Sequence, residues 1–251
     1  MAALVAVSLL SAKKLNRRFG GIAAVKDVDF SLEQGEIRGI IGPNGAGKTS
    51  FVNLLSGRLA PDSGQVVFQG VDITRQSVWK RARLGIAYSF QIISIYPGLT
   101  VFDNVAIGAQ LGMQQPSKSG QSRDQEPDLE EVVGSCLKLT GLDWGRTQLA
   151  SELAYGHQRL LEITINLAVD PTLLILDEPT QGLSVDEIDE FAGLLKRIRS
   201  GRTIILIEHN LPFVMNLADR VTVMDQGGIL AENDPKGIQM DARVKAAYLG
   251  K

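Results

Sequence analysis

The sequence predicts an α/β fold: a mixed, mainly parallel sheet flanked by helices, with an antiparallel β subdomain and a helical subdomain. Three observations lead there. Ile37-Arg38-Gly39-Ile40-Ile41 is an apolar run of strand length, Gly42 to Ser50 (GPNGAGKTS) is a glycine-rich turn, and Phe51-Val52-Asn53-Leu54-Leu55 supplies the apolar face of a helix. From 156 to 224, apolar strands alternate with amphipathic helices, the pattern that builds a parallel sheet. Ahead of the turn, Val25 to Leu32 alternates apolar with polar residues, as an antiparallel strand with one wet face does.

In chain order, Met1 to Leu10 is apolar, but Lys13, Lys14, Arg17 and Arg18 follow that run instead of preceding it. The stretch therefore reads as a ragged end entering the first strand, not as a signal peptide. Residues 9–32 are strand-like, interrupted by Arg17-Arg18-Phe19-Gly20-Gly21, a glycine-bearing loop that holds an aromatic. After the glycine-rich loop and its helix, Pro61-Asp62-Ser63-Gly64 predicts a turn and 65–68 a short strand. A helix over 80–84 and a buried strand over 85–91 come next. Tyr96-Pro97-Gly98-Leu99 breaks the chain, and Thr100 is placed to cap a helix over 101–110. A polar surface loop over 112–128 and a helix over 129–139 follow. Residues from about 92 to 152 thus form a mostly helical insertion, while about 1–91 and 153–251 make the core and the β subdomain. Helices over 156–168, 185–199 and 211–218 then alternate with strands over 173–178, 203–207 and 221–224. A last strand over 229–231 and a helix over 242–249 end the pattern.

A chain of 251 residues with 44% hydrophobic content makes one large domain, or a domain with a subdomain, and buries a core without staples. The single Cys136 permits no internal disulfide and fits a reducing compartment. With only His157 and His209 beside it, the usual zinc ligand sets are not available. A net charge of −2 leaves no electrostatic footprint for nucleic acid. No apolar run is long enough to cross a bilayer, so the chain is expected to be soluble or held to a membrane by a partner.

The glycine-rich turn reads as a phosphate-binding loop. Its glycines let the backbone curl close to an anion, and the N–H groups of Asn44, Gly45, Ala46 and Gly47 then point inward at a helix N-terminus. Lys48 adds a point charge for β- and γ-phosphates, the Thr49 hydroxyl is placed to ligate Mg²⁺, and Ser50 completes the motif. A solvated lysine on a plain turn is the bland rival, and the strand before and helix after weigh against it. Leu173-Leu174-Ile175-Leu176 reads as a strand buried on both faces that ends in Asp177-Glu178. That pair falls at the sheet edge where such folds place their ligand. Asp177 can hold Mg²⁺ through water, and Glu178 can take a proton from, or orient, a water attacking the γ-phosphate.

These motifs together resemble the ATP-binding subunits of ABC transporters over nearly the whole chain. Leu153-Ala154-Tyr155-Gly156-His157-Gln158-Arg159 at a helix start, Gln91 at a strand end and Ile207-Glu208-His209 at another carry the likeness further. The resemblance implies a P-loop NTPase core that hydrolyses ATP with Mg²⁺. It implies that Phe19 stacks on adenine, that Gln91 senses Mg²⁺ and the attacking water, and that His209 contacts the γ-phosphate. It also implies that Tyr155, Gly156 and His157 reach the nucleotide of a second ATPase subunit. Two stretches depart from the family's commonest form. Ala154, Tyr155 and His157 stand in for Ser, Gly and Gln, and Gln181-Gly182-Leu183-Ser184 replaces Ser-Ala-Leu-Asp.

Other variants narrow the resemblance. Arg18-Phe19-Gly20-Gly21 with Ala24-Val25, Leu161-Glu162-Ile163 after the signature, Leu206 to His209, Val214-Met215 and the ending Ala247-Tyr248-Leu249-Gly250 are similar to subunits of branched-chain amino acid importers and their amide and urea relatives. Such importers pair two ATPase chains, identical or different, with two transmembrane permease subunits and a periplasmic or extracellular substrate-binding protein. The expected place is peripheral, on the cytoplasmic face of the inner membrane. Two rivals are a soluble ABC-type ATPase acting on nucleic acid or ribosomes, and the ATPase of a lipopolysaccharide exporter. The first usually carries two ATPase domains or long coiled-coil insertions, and the second keeps Ser-Gly-Gly in its signature.

Overall fold

The computed structural model describes residues 8–114 and 128–249. The predicted ragged start at 1–7 and most of the loop predicted over 112–128 lie outside the described residues. β1 (Ser8–Phe19) and β2 (Ile22–Glu33) pair antiparallel across Gly20-Gly21, with burial that alternates as one face turns to the core. β3 (Ile37–Ile41), buried at every residue, leads through the glycine-rich loop into α1 (Lys48–Ser56). β4 (Ser63–Phe68) pairs with β1, and β5 (Val71–Asp72) completes a sheet in the order β2-β1-β4-β5. α2 (Val78–Arg83), β6 (Ile86–Ser89), α3 (Val101–Met113), α4 (Leu129–Thr140) and α5 (Tyr155–Ala168) follow. Then come β7 (Leu173–Asp177), α6 (Val185–Ile198), β8 (Thr203–Ile207), α7 (Leu211–Leu217), β9 (Arg220–Asp225) and β10 (Gly228–Asn233). Two short helices, α8 (Pro235–Met240) and α9 (Ala242–Leu249), end the chain's described part.

The second sheet runs β10-β9-β3-β8-β7-β6, parallel throughout except for the β9–β10 hairpin at its edge. Both its faces are covered, which is why β7 and β8 read as unbroken apolar runs. Leu173 and Ile175 of β7 join a cluster with Leu15, Phe30, Phe51 and Phe68 on the side of the antiparallel sheet. Leu174 and Leu176 point the other way, into a cluster with Phe191, Leu195 and Phe213 of α6 and α7. A third cluster, including Val101, Val105, Val133, Leu137 and Leu161, lies among α3, α4 and α5. Arg38 interrupts the apolar run of β3. Buried, it pairs with Glu36 and with Glu232 of β10 and donates to the carbonyl of Ser31 on β2, so it ties the two sheets together.

Where the elements differ from the sequence reading, local hydrogen bonds explain it. β6 stops at Ser89, short of the predicted 85–91, because the carbonyls of Phe90 and Gln91 turn away to Arg159. Gln91 therefore sits just past the strand, not at its end. Phe19, read as a loop residue, is the last residue of β1 and faces Ile22 across the turn. α8 was not predicted, although Asp234 caps it by accepting from the Gly237 N–H and Pro235 opens it. Thr100 does cap α3, its hydroxyl accepting from the Asp103 N–H at 3.0 Å. Replacing Thr100 by Ala is expected to cost about 1 kcal/mol in urea unfolding, with Ser restoring it and nucleotide affinity unchanged.

Candidate functional site

β8 lies between β3 and β7, and all three run parallel with β6. Their C-terminal ends therefore open on one edge, which gathers the glycine-rich loop after β3, Asp177-Glu178 from β7, Glu208-His209 after β8 and Gln91 beyond β6. The loop curls through Gly47, whose φ of 98° and lack of a side chain let it pass close to the Ala24 carbonyl. It also rests on the β9–β10 turn, where the Gly227 N–H donates to the Ala46 carbonyl at 3.0 Å. A cavity of about 470 Å³ opens over it, lined by Asn44 to Ser50, Glu178, Gln226 and Ile22 to Ala24.

Lys48 donates to the carbonyls of Gly42 (2.7 Å) and Pro43 (3.1 Å) at the floor of this cavity. Burial pulls its ammonium below the ordinary lysine range, while the carboxylates of Glu178 and Asp177 oppose that shift. Asp177 is held by the Tyr88 hydroxyl, which donates to its Oδ2 at 2.7 Å. Burial raises the Asp177 pKa, the Tyr88 bond works against this, and the Glu178 charge adds to it. Tyr88 is itself raised, first by burial and then by the Asp177 charge.

Glu178 occupies the left-handed region with φ 48°, and its N–H donates to the Ile207 carbonyl. Its carboxylate accepts from Gln91 Nε2 at 3.0 Å and stands 3.9 Å from Nδ1 of His209, whose ring is exposed. The turn bearing Gln91 and the carbonyl of Glu178 are gripped together by Arg159 of α5. This buried guanidinium donates to the carbonyls of Phe90 (2.6 Å), Gln91 (3.0 Å) and Glu178 (3.2 Å). Glu162 balances it at 2.9 Å and accepts from the Phe90 N–H, and burial raises the Glu162 pKa. Sequence reasoning missed Tyr88, Arg159, Glu162 and Gln226. Arg159 and Glu162 did leave a signal, two opposite charges i,i+3 apart within a helix that buries mainly apolar residues.

The family model for ABC transporters matches residues 25–181, which span the glycine-rich loop and the acid pair. The chain belongs to the ABC transporter family. The high-affinity branched-chain amino acid transport ATP-binding protein BraF of Pseudomonas aeruginosa is 33% identical to it over 97% of this chain and 98% of BraF. The corresponding LivG protein of Escherichia coli is 35% identical over 97% of this chain and 98% of LivG. Among solved structures, the ADP conformation of MJ1267, an ATP-binding cassette of an ABC transporter, superposes with a TM-score of 0.84. It is 30% identical, and the match covers 98% of this chain and all of that one.

In this ABC transporter chain, Tyr155, Gly156 and His157 open α5 and do not line the cavity over the glycine-rich loop of the same copy. Gly156 and His157 line a separate cavity of about 310 Å³ with Glu187 and Arg197. The two departures from the family's commonest form fit one another. Gly182 has φ 80°, and a Cβ there would come within 2.7 Å of the Tyr155 ring, so the larger signature residue is accommodated by the smaller loop residue. Ser184 caps α6 in a reciprocal box with Glu187, and Asp186 is an exposed residue of its first turn. Phe19 is 46% exposed with the Arg17 guanidinium 5.0 Å from its ring centre, and it does not line the phosphate cavity.

Burial and the nearby Glu178 raise the folded pKa of Asp177, so the ionised carboxylate weakens the unliganded fold above that pKa and ceases to do so as pH falls through it. Asp177→Asn is therefore expected to raise the thermal midpoint of the nucleotide-free protein at pH 7. The gain should shrink as the pH approaches the carboxylate range. An unchanged midpoint at pH 7 would contradict this electrostatic account.

Proposed function

We propose that this chain is the ATP-binding and ATP-hydrolysing subunit of an ABC importer for branched-chain amino acids or related small amino acids and amides. The observation that carries the reading is the convergence of Gln91 and His209 on the Glu178 carboxylate, at the mouth of the cavity over the phosphate loop. The N–H groups of Asn44 to Gly47 and the hydroxyls of Thr49 and Ser50 receive the phosphates, with Lys48 exchanging loop carbonyls for phosphate oxygens. Thr49, Asp177 and the Gln91 amide oxygen are hard oxygen donors that would hold Mg²⁺, which would supply neutralisation of phosphate charge. Glu178 orients the attacking water and takes its proton, and His209, 3.9 Å from that carboxylate, donates to the γ-phosphate. Phosphoryl transfer asks little covalent chemistry of a protein, so positioning and electrostatics supply the rate. Phe19 offers its half-exposed ring to adenine, beside Ile22 at the rim of the cavity.

Tyr155, Gly156 and His157 do not line their own copy's cavity and close instead over that of a second ATPase subunit. Residues from about 92 to 152 form the helical insertion of the core. With the exposed Phe90, Ile92, Tyr96 and Leu99, that insertion offers the groove for two transmembrane permease subunits. Those partners hold the chain on the cytoplasmic face of the membrane, and a substrate-binding protein works on the opposite side. Among the described residues no helix is long and apolar enough to cross a membrane. Two results test this reading. Glu178→Gln is expected to leave ATP affinity intact and to lower turnover at least 100-fold. Purification of the natural assembly is expected to bring down permeases and no RNA or DNA. Undiminished hydrolysis in the variant removes Glu178 from the mechanism, and nucleic acid in place of permeases overturns the importer.

A further inference from the structure

Glu208, the residue before His209, is fully buried, yet among the described residues no cation stands within hydrogen-bond distance of its carboxylate, His209 Nδ1 lying 3.9 Å from Oε2. Its oxygens are occupied instead by donors from two separate segments. Oε1 accepts from the backbone N–H of Thr180 at 2.9 Å and from the Thr180 hydroxyl at 2.6 Å. Oε2 accepts from the N–H groups of His209 at 3.1 Å and Asn210 at 3.4 Å. Its own N–H donates to the carbonyl of Ile40 on β3, just ahead of the phosphate loop.

Thr180 lies two residues beyond Glu178, in the tight turn where Gln181 N–H donates to the Glu178 carbonyl and Leu183 N–H to the Thr180 carbonyl. Glu178 and His209 are thus the neighbours of two segments that one carboxylate clasps. A carboxylate suits this task because it only accepts, and three of the four donors around it are backbone N–H groups that cannot reverse. We propose that Glu208 is a positioning residue for ATP hydrolysis, a buried anion that sets the distance and angle between the Glu178 carboxylate and the His209 ring. Fully buried, it acts through the Glu178 and His209 side chains. The hydrogen bonds of its side chain go to Thr180, His209 and Asn210 and not to the phosphate loop, so the tie bears on turnover and not on nucleotide binding.

An amide in place of the carboxylate tests this directly. In either orientation of a Gln side chain its NH₂ group faces at least one backbone N–H, so one charge-assisted hydrogen bond or more is lost at constant size. With the chain in its transporter assembly, Glu208→Gln is expected to lower kcat about tenfold or more, the equivalent of one such bond. KM for ATP and the affinity for a non-hydrolysable analogue should stay within about twofold. The Thr180 variants read the same tie without touching Glu208, should Glu208→Gln fail to fold. Thr180→Ser keeps the hydroxyl and is expected to retain wild-type kcat, whereas Thr180→Val should lose several-fold, again with KM unmoved. The double variant Glu208→Gln/Thr180→Val should be less impaired than the product of the two single losses.

Wild-type kcat in Glu208→Gln, equal behaviour of Thr180→Ser and Thr180→Val, or a loss confined to KM would each overturn the proposal. The inference rests on Glu178 and His209 acting on ATP, and the two failures are distinguishable. An inactive wild-type assembly defeats that reading itself, whereas an active wild type beside an equally active Glu208→Gln removes only the tie.

Discussion

β8 hydrogen-bonds to β3 on one side and β7 on the other, with Ile37 beside Ile204 and Leu173 beside Thr203. Because the three strands run the same way, whatever the chain places after each of them is delivered to one edge. That register is secured from both faces. A slip of one residue in β7 would send Leu174 and Leu176 toward α1 and the antiparallel sheet, and Leu173 and Ile175 toward α6. The positions of the phosphate loop, the acid pair and His209 relative to one another therefore follow from apolar packing before any polar contact is made.

Polar groups then refine the placement within that edge. Arg159 and Glu162 lie one turn into the helix that begins with the signature residues, and they hold the Gln91 turn and the Glu178 carbonyl. A buried pair of this kind contributes little net stability, but losing one partner strands the other, so it enforces a geometry more than it strengthens a fold. Asp177 and Glu178 stand close together beside the Lys48 ammonium, with the Arg58 charge also acting on Asp177, and burial holds Asp177 above and Lys48 below their ordinary ranges. Such a crowded set of charges gives up stability in the empty protein and is suited to a polyanion with its metal.

Much of this architecture is legible in the sequence. The spacing of apolar residues found α5, α6, β7 and β8 closely, since strand and helix periods differ and each element there is long or fully buried. The glycine-rich loop and the acid pair stood out as a candidate site because their residue types are rare in combination. Tyr88 was not, since its role depends on the parallel register that sets it beside Ile175, across from a residue 87 positions on. The grip of Arg159 on Gln91 was hidden for the same reason, as was the support that Gly227 gives Ala46. The exchange of bulk between Tyr155 and Gly182 is a fourth case, in which two departures from a common pattern make sense only once they touch. Short elements escaped for a different reason, because β5 has two residues and no period to show.

A structure of the wild-type chain with Mg²⁺ and a non-hydrolysable ATP analogue tests the account at its root. The expected result is a triphosphate lying between residues 42–49 and the pair at 177–178, with Lys48 Nζ released from the carbonyls of Gly42 and Pro43 onto phosphate oxygens. A nucleotide bound elsewhere, with Lys48 still closed on those two carbonyls, would contradict it.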